Sequence, residues 1–281
     1  MRIAIVADSH LAERAPECVA NWKAAAGAVA RLHADLTVHL GDISLDGQFR
    51  GEELRFAASE ARAWPTPMRF VPGNHDMGDG SGERPLDPAR LSAYTASFGP
   101  DHWAVSAGRW ELIGINAQLL GSGTPEEEAQ WQWLEGHSRQ VGRWDHSILF
   151  LHRPLVRPNA AEHSRAGRYV ASHASERVLE GPLRHTLRAV VSGHTHQYLD
   201  RIASGVRHLW LPSTAFVLPD EIQARVGEKV VGVGVLELGG SSVWFDLLCP
   251  DGMVRHNLVE LGFHAELRAH AATNETRRMA R

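Results

Sequence analysis

The chain has 281 residues, of which 43% are hydrophobic and 22% charged, and a net charge of −4 with histidine neutral. That length suits one large α/β domain or two small ones, and the charge offers no general attraction to nucleic acid or an anionic membrane. Two widely spaced cysteines, Cys18 and Cys249, exclude a disulfide framework, and no apolar run approaches a membrane span.

In chain order, residues 2–7, 36–40, 68–71, 147–151 and 189–192 read as nearly continuous apolar strands, the pattern of strands covered on both faces. Between them, residues 16–33, 51–63, 87–98, 125–140 and 175–185 read as helices, with Pro16 and Pro125 in first-turn positions. Residues 199–203, 206–211, 229–238 and 242–248 look like further strands joined by short turns. The tail, 264–281, reads as a surface helix or frayed end. Nothing in the composition demands a boundary, so the expectation is a single domain over 1–263. The opening MRIAIVADSH lacks a signal peptide's layout, which makes the cytoplasm the expected setting.

Histidine is abundant, 17 against 3 tyrosines. His33, His102, His137, His146, His256 and His270 follow no pattern. Others do. Asp8 and His10 follow the first strand, Gly41 and Asp42 the second, and Asn74, His75 and Asp76 the third. His152 follows the strand at 147–151, and His194 and His196 the strand at 189–192. Open α/β sheets bind ligands beyond the carboxyl ends of their strands. One aspartate or histidine there is ordinarily a turn former or surface residue, but five strands delivering such groups to one end form a constellation. His194 and His196 can share one metal, serve two, or only fill space.

The ordered set D8-S-H10, G41-D42, G73-N74-H75-D76, H152 and G193-H194-T195-H196 resembles the calcineurin-like binuclear metallophosphoesterases over the first two-thirds of the chain. The resemblance implies an αββα sandwich of two mixed sheets flanked by helices. It implies one metal held by Asp8, His10, Asp42 and His196, and a second by Asp42, Asn74, His152 and His194, with Asp42 bridging. Iron, manganese and zinc all suit such nitrogen and oxygen donors, as divalent or mixed-valence ions. It further implies a hydroxide between the metals as nucleophile. His75 would be general acid, held by a hydrogen bond to Asp76 that raises its pKa.

The stretch G41-D42-I43-S44-L45-D46-G47-Q48 departs from the protein phosphatases' Gly-Asp-x-x-Asp-Arg-Gly. DSHL, GDISLDG, EEEAQWQWLE and LWLPSTAF instead look like the bacterial class III cyclic-nucleotide phosphodiesterase branch. The expected activity is hydrolysis of a small organic or nucleotide phosphodiester. A phosphomonoesterase or nucleotide pyrophosphatase is the enzymatic alternative, and a non-catalytic scaffold the alternative from another class. No basic stripe with interleaved aromatics points to nucleic acid. Residues 153–173 read as a cap or lid, a place where such folds also build homo-oligomer contacts. Arg153, Arg157, Arg165 and Arg168 there are candidate substrate contacts, with His163, Tyr169 and His173 of the same standing.

Overall fold

Strand β1 (Arg2–Val6) is apolar on both faces because it lies inside a sheet that is itself covered on both sides. It pairs in parallel with β2 (Leu36–His39), and β2 with β3 (Met68–Phe70). On its other side β1 pairs antiparallel with β11 (Val233–Gly239), which pairs antiparallel with β12 (Ser242–Leu248). The computed structural model describes residues 1–82, 84–139, 144–158, 167–263 and 265.

The second sheet has six strands. It begins with the antiparallel pair β4 (Trp103–Ala107) and β5 (Trp110–Gly114). Parallel pairing continues through β6 (His146–Leu151), β7 (Leu187–Ser192) and β9 (Val206–Trp210), and β8 (Leu199–Ala203) closes the edge antiparallel to β9. A two-stranded parallel pair, β10 (Phe216–Val217) with β13 (His256–Asn257), stands apart.

The sheets face each other across Ile3, Ile5, Val38 and Leu236 from one and Leu112, Ile148, Phe150 and Val191 from the other. Each such fully buried apolar side chain contributes about 1.5–3 kcal/mol. Outside the first sheet, α1 (Pro16–Leu32) packs Trp22, Ala25 and Val29, α2 (Gly51–Arg62) packs Ala57, and α4 (Pro88–Phe98) packs Tyr94. Outside the second, α5 (Pro125–Ser138) and α6 (Ser172–Leu179) bring Trp131, Leu134, Ala174 and Val178. The architecture is the expected αββα sandwich of two mixed sheets flanked by helices. Among the described residues, no helix is long and apolar enough to cross a membrane.

The differences from the sequence reading have local causes. The β4–β5 hairpin, turning at Gly108 with φ 64°, had no strand assigned to it, because β4 mixes partly buried and exposed positions. Helix α6 stops well before residue 185 because Gly181-Pro182 follows it, and proline cannot continue a helix. The strand expected from 229 begins at Val233. Lys229 instead turns its ammonium inward to Asp220 and the Gln223 carbonyl. Residues 159–166 of the expected cap, and the tail except Ala265, lie outside the described residues.

Candidate metal centre

Strands β1, β2 and β3 of one sheet and β6 and β7 of the other end at the same edge of the sandwich, and their loops meet there. The loops after β1 and β2 stay zipped: Asp8 N–H donates to the Gly41 carbonyl, His10 N–H to Asp42 and Leu11 N–H to Ile43, at 2.8–3.0 Å. The backbone is left-handed at Asp8, His10, Asp42, His194 and His196, with φ between 46° and 68°. Such conformations cost non-glycine residues about 1–3 kcal/mol each and persist where the surroundings over-determine them. Five of them on one set of polar residues mark a site.

The donors converge. Ligand atoms of Asp8, His10 and His196 lie within 4.8 Å of one another, and so do those of Asp42, His152 and His194. Asp42 Oδ2 reaches toward both groups, 3.4 Å from His152 Nε2 and 3.9 Å from His10 Nε2. His10 Nε2 and His196 Nε2 are 3.2 Å apart, and His152 Nε2 is 3.0 Å from His194 Nδ1 and 3.1 Å from Asn74 Oδ1. Asn74 opens the one-turn helix α3 (Asn74–Met77). Asp8 and His152 are fully buried, and His10, Asp42, Asn74 and His196 nearly so.

Backbone carbonyls set the ring tautomers. His152 Nδ1–H donates to the Leu40 carbonyl at 2.8 Å, and His196 Nδ1–H to the Phe216 carbonyl at 3.0 Å, which turns each Nε2 toward the cluster. Below the cluster, Gly41 N–H donates to His39 Nδ1, whose Nε2–H donates to Ser9 Oγ. The Ser9 hydroxyl bonds Thr214 Oγ1 in turn. This chain locks the loop carrying Asp8 and His10 to the loop carrying Asp42.

Burial, then neighbouring rings, holds His10 and His194 well below the ordinary imidazole pKa, and burial takes His196 to about 4. Burial raises Asp8 well above its ordinary value. It opposes ionisation of Asp42 too, yet His152 and His75 outweigh it and keep Asp42 ionised. His152 is lifted to about 9, since Asp42 and Asp8 overcome its burial. Divalent cations need neutral imidazoles and carboxylates. His10, His194, His196 and Asp42 are already in those states, whereas burial holds Asp8 toward its acid form and His152 carries a proton to be released. His10 Nδ1, moreover, is buried without a hydrogen-bond partner. With no thiolate in the set, the residues fit two borderline cations such as iron, manganese or zinc. A metal on His152 must displace its proton, so affinity for Mn2+ is expected to rise with pH from 6 toward about 9. Titrations of metal-stripped protein at several pH values check this, and a flat profile would exclude His152 as a ligand.

His75 and Asp76 are arranged differently from expectation. The Asp76 carboxylate does not hold the His75 ring; it accepts from the backbone N–H groups of Ile43, Ser44 and Gly73 and from Ser44 Oγ, at 2.7–3.2 Å. As the third residue of α3, its side chain folds back over the helix start and ties the loops after β2 and β3 together. The His75 ring donates from Nδ1 to the Leu45 carbonyl at 2.7 Å, and burial and Arg84 lower its pKa rather than raise it. Asp76, itself pushed to about 6 by burial, is a loop anchor and not a partner of His75.

An open cleft of about 470 Å3 exposes the cluster, lined by His10, Asp42, Asn74, His75, His194 and His196. Arg168 lines it as well. Arg153 does not; its guanidinium is buried, donates to the Ala117 carbonyl at 2.7 Å, and lines a neighbouring cavity together with Arg157 and Tyr169. His173 lines a separate pocket beside α5. Arg165 and His163 lie outside the described residues. The sequence reading missed Arg84, which a tight turn at Asp79 and Gly80 brings to the cleft. It also gave no role to Phe216, whose ring packs 4.9 Å from those of His10 and His196. Neither belongs to a local motif.

A family model for calcineurin-like phosphoesterases matches residues 1–198. No curated protein matches. Among solved structures, the protein is similar to a dimetal phosphatase from Danio rerio at 17% identity and a TM-score of 0.61, over 88% of this chain and 95% of that one. It is similar to GAP50, the anchor in the inner membrane complex of Plasmodium, at 14% and 0.64, over 90% and 86%. It also resembles purple acid phosphatase PPD1 from yellow lupin seeds at 15% and 0.62, over 91% of this chain and 52% of that one. Enzymes and an anchor share this architecture, so these likenesses establish the fold alone. By the match over residues 1–198, joined to the buried Asp, Asn and His constellation at the strand ends, the chain belongs to the calcineurin-like phosphoesterase family.

Proposed function

We propose that the protein is a metal-dependent phosphodiesterase acting on a small organic or nucleotide diester. The observation that carries this is the convergence of the two donor groups, with Asp42 directed at both, on the floor of an open cleft. In this reading Asp8, His10, Asp42 and His196 hold one cation, and Asp42, Asn74, His152 and His194 the other. A pair of such cations supplies Lewis-acid charge and a nucleophilic water at neutral pH.

The remaining groups do work of their own. Arg84 and Arg168 line the cleft, and the guanidinium fork suits phosphate oxygens. His75, held by Leu45 through Nδ1–H, lies beside His10 and Asp42; once its other nitrogen takes up a proton from solvent, the imidazolium would pass that proton to the leaving oxygen. Space favours a diester. The cleft shares Asp79 and Gly167 with the neighbouring cavity of about 630 Å3, so both ester arms have room.

The test is turnover of an aryl phosphodiester and its monoester by protein stripped of metal and reloaded separately with manganese, iron or zinc. Metal-dependent preference for the diester is expected. Preference for the monoester would move the assignment to a phosphatase, and inactivity on both with two metals bound would revive the scaffold reading. For His75→Ala, turnover of alkyl esters, whose leaving groups need a proton, should fall at least tenfold more than turnover of aryl esters. Equal losses on both would remove the acid role.

A further inference from the structure

Most buried carboxamides among the described residues are paired, as buried polar groups generally are, although Gln48 leaves its oxygen unmet. Gln130 closes two hydrogen bonds on the Asn116 backbone, and Gln197 accepts from Val226 and Gly227 while donating to Gln223. Gln118 goes further and leaves both amide atoms unmet. Its side chain is 1% exposed, and neither its amide nitrogen nor its amide oxygen has a partner. Its backbone, by contrast, is tied on both sides, the N–H to Asn116 Oδ1 and the carbonyl to Arg153 Nη2. Gln118 lines the cavity of about 630 Å3, as does Arg153, whose Nε is also buried without a partner. Two residues that line a cavity adjoining the metal cleft thus carry an unmet acceptor and two kinds of unmet donor.

We propose that this cavity is a base-recognition pocket, in which Gln118 and Arg153 read the hydrogen-bonding edge of a nucleobase on one arm of the diester. A carboxamide presents a donor beside an acceptor, the complement of a base edge that offers both. The other walls suit a flat, weakly polar ring: Pro85, Leu86 and Leu120 are apolar, and the ring of Tyr169 is braced on Trp210 at 5.7 Å. Arg153 directly follows His152, so the base would sit one residue's reach from the cluster where the phosphorus is placed. The inference rests on the proposed phosphoesterase reading for that placement. Base binding itself does not.

The experiment uses metal-loaded protein and isothermal titration calorimetry with free adenosine, guanosine, cytidine and uridine, which carry no phosphorus. At least one should bind saturably, and Gln118→Leu should weaken that binding at least tenfold. The discrimination ratio between a nucleoside p-nitrophenyl phosphodiester and bis(p-nitrophenyl) phosphate should fall by a similar factor, through KM. Thermal unfolding separates recognition from structure. Because the amide has no partner in the fold, Gln118→Leu should unfold at or above the wild-type temperature, and Gln118→Met gives a second variant of similar shape. The proposal is overturned if none of the four nucleosides binds, or if both variants bind them as wild type does. Nucleoside binding that depends on Gln118, without hydrolysis of any ester, would keep the pocket and remove the phosphoesterase reading. Ester hydrolysis without nucleoside binding would do the reverse.

Discussion

Asp42→Asn is expected to lower metal-dependent kcat/KM by about 10^3-fold or more, the several kcal/mol that metal-centred charge supplies to a phosphoryl transition state. The substitution keeps the side chain's shape. The introduced carboxamide retains an oxygen for the His75 N–H, which Asp42 Oδ1 accepts at 2.8 Å. The change falls on the other atom. Where Oδ2 faces His152 and His10, an amide would present N–H groups to the positions the cations need. Because Asp42 is the group directed at both donor clusters, bound metal should fall by more than one equivalent. Metal analysis alongside steady-state kinetics checks this. Loss of only one metal with activity retained would show that Asp42 does not bridge.

Gly73→Ala should be among the most damaging single methyl additions, and it strikes a proposed metal ligand. A Cβ there would overlap the backbone nitrogen and Oδ1 of Asp42, atoms fixed by the zipped loops. The φ of Gly73 is −100° and ψ 177°, which alanine adopts freely, so the cost is contact and not backbone strain. Overpacking of this kind costs about 1–3 kcal/mol, a fall in Tm on the order of 5 °C for a chain of this size. Metal affinity should fall with it, since relief requires moving Asp42. Gly136→Ala is the control: in α5 its added methyl meets nothing within 4 Å, and it should leave Tm unchanged or raise it. Equal effects from the two substitutions would show that the Gly73–Asp42 approach is not tight.

Strands β1, β2, β6 and β7 were legible because each is buried on both faces, and β1, β2 and β7 run into residues that adopt left-handed backbone readily. Aspartate and histidine are enriched there among non-glycine residues, so DSH, GD and GHTH announce sharp loop geometry as well as donor chemistry. The β4–β5 hairpin was not legible, since an edge strand with mixed exposure leaves neither a period of two nor a continuous apolar run. The pairing of Asp76 with His75 was inferred from adjacency. In a one-turn helix consecutive side chains diverge, and the aspartate turned back to the free N–H groups at the helix start while the histidine found Leu45.

Sequence alone specified the metal-competent residues, their order, and their place after buried strands, because strand burial and loop chemistry are local properties written within a few residues. What surrounds them was left to the folded chain. Phe216 lies 20 residues from the His196 ring it accepts from, and Leu40 lies 112 residues from the His152 ring it orients. Arg84 reaches the cleft through a turn that no motif marks. Gln118 lies in INAQLLG, a run that reads as ordinary core until its amide is seen to lack a partner. Hydrogen-bond satisfaction depends on which distant segments arrive, and that is settled only when the two sheets close on each other.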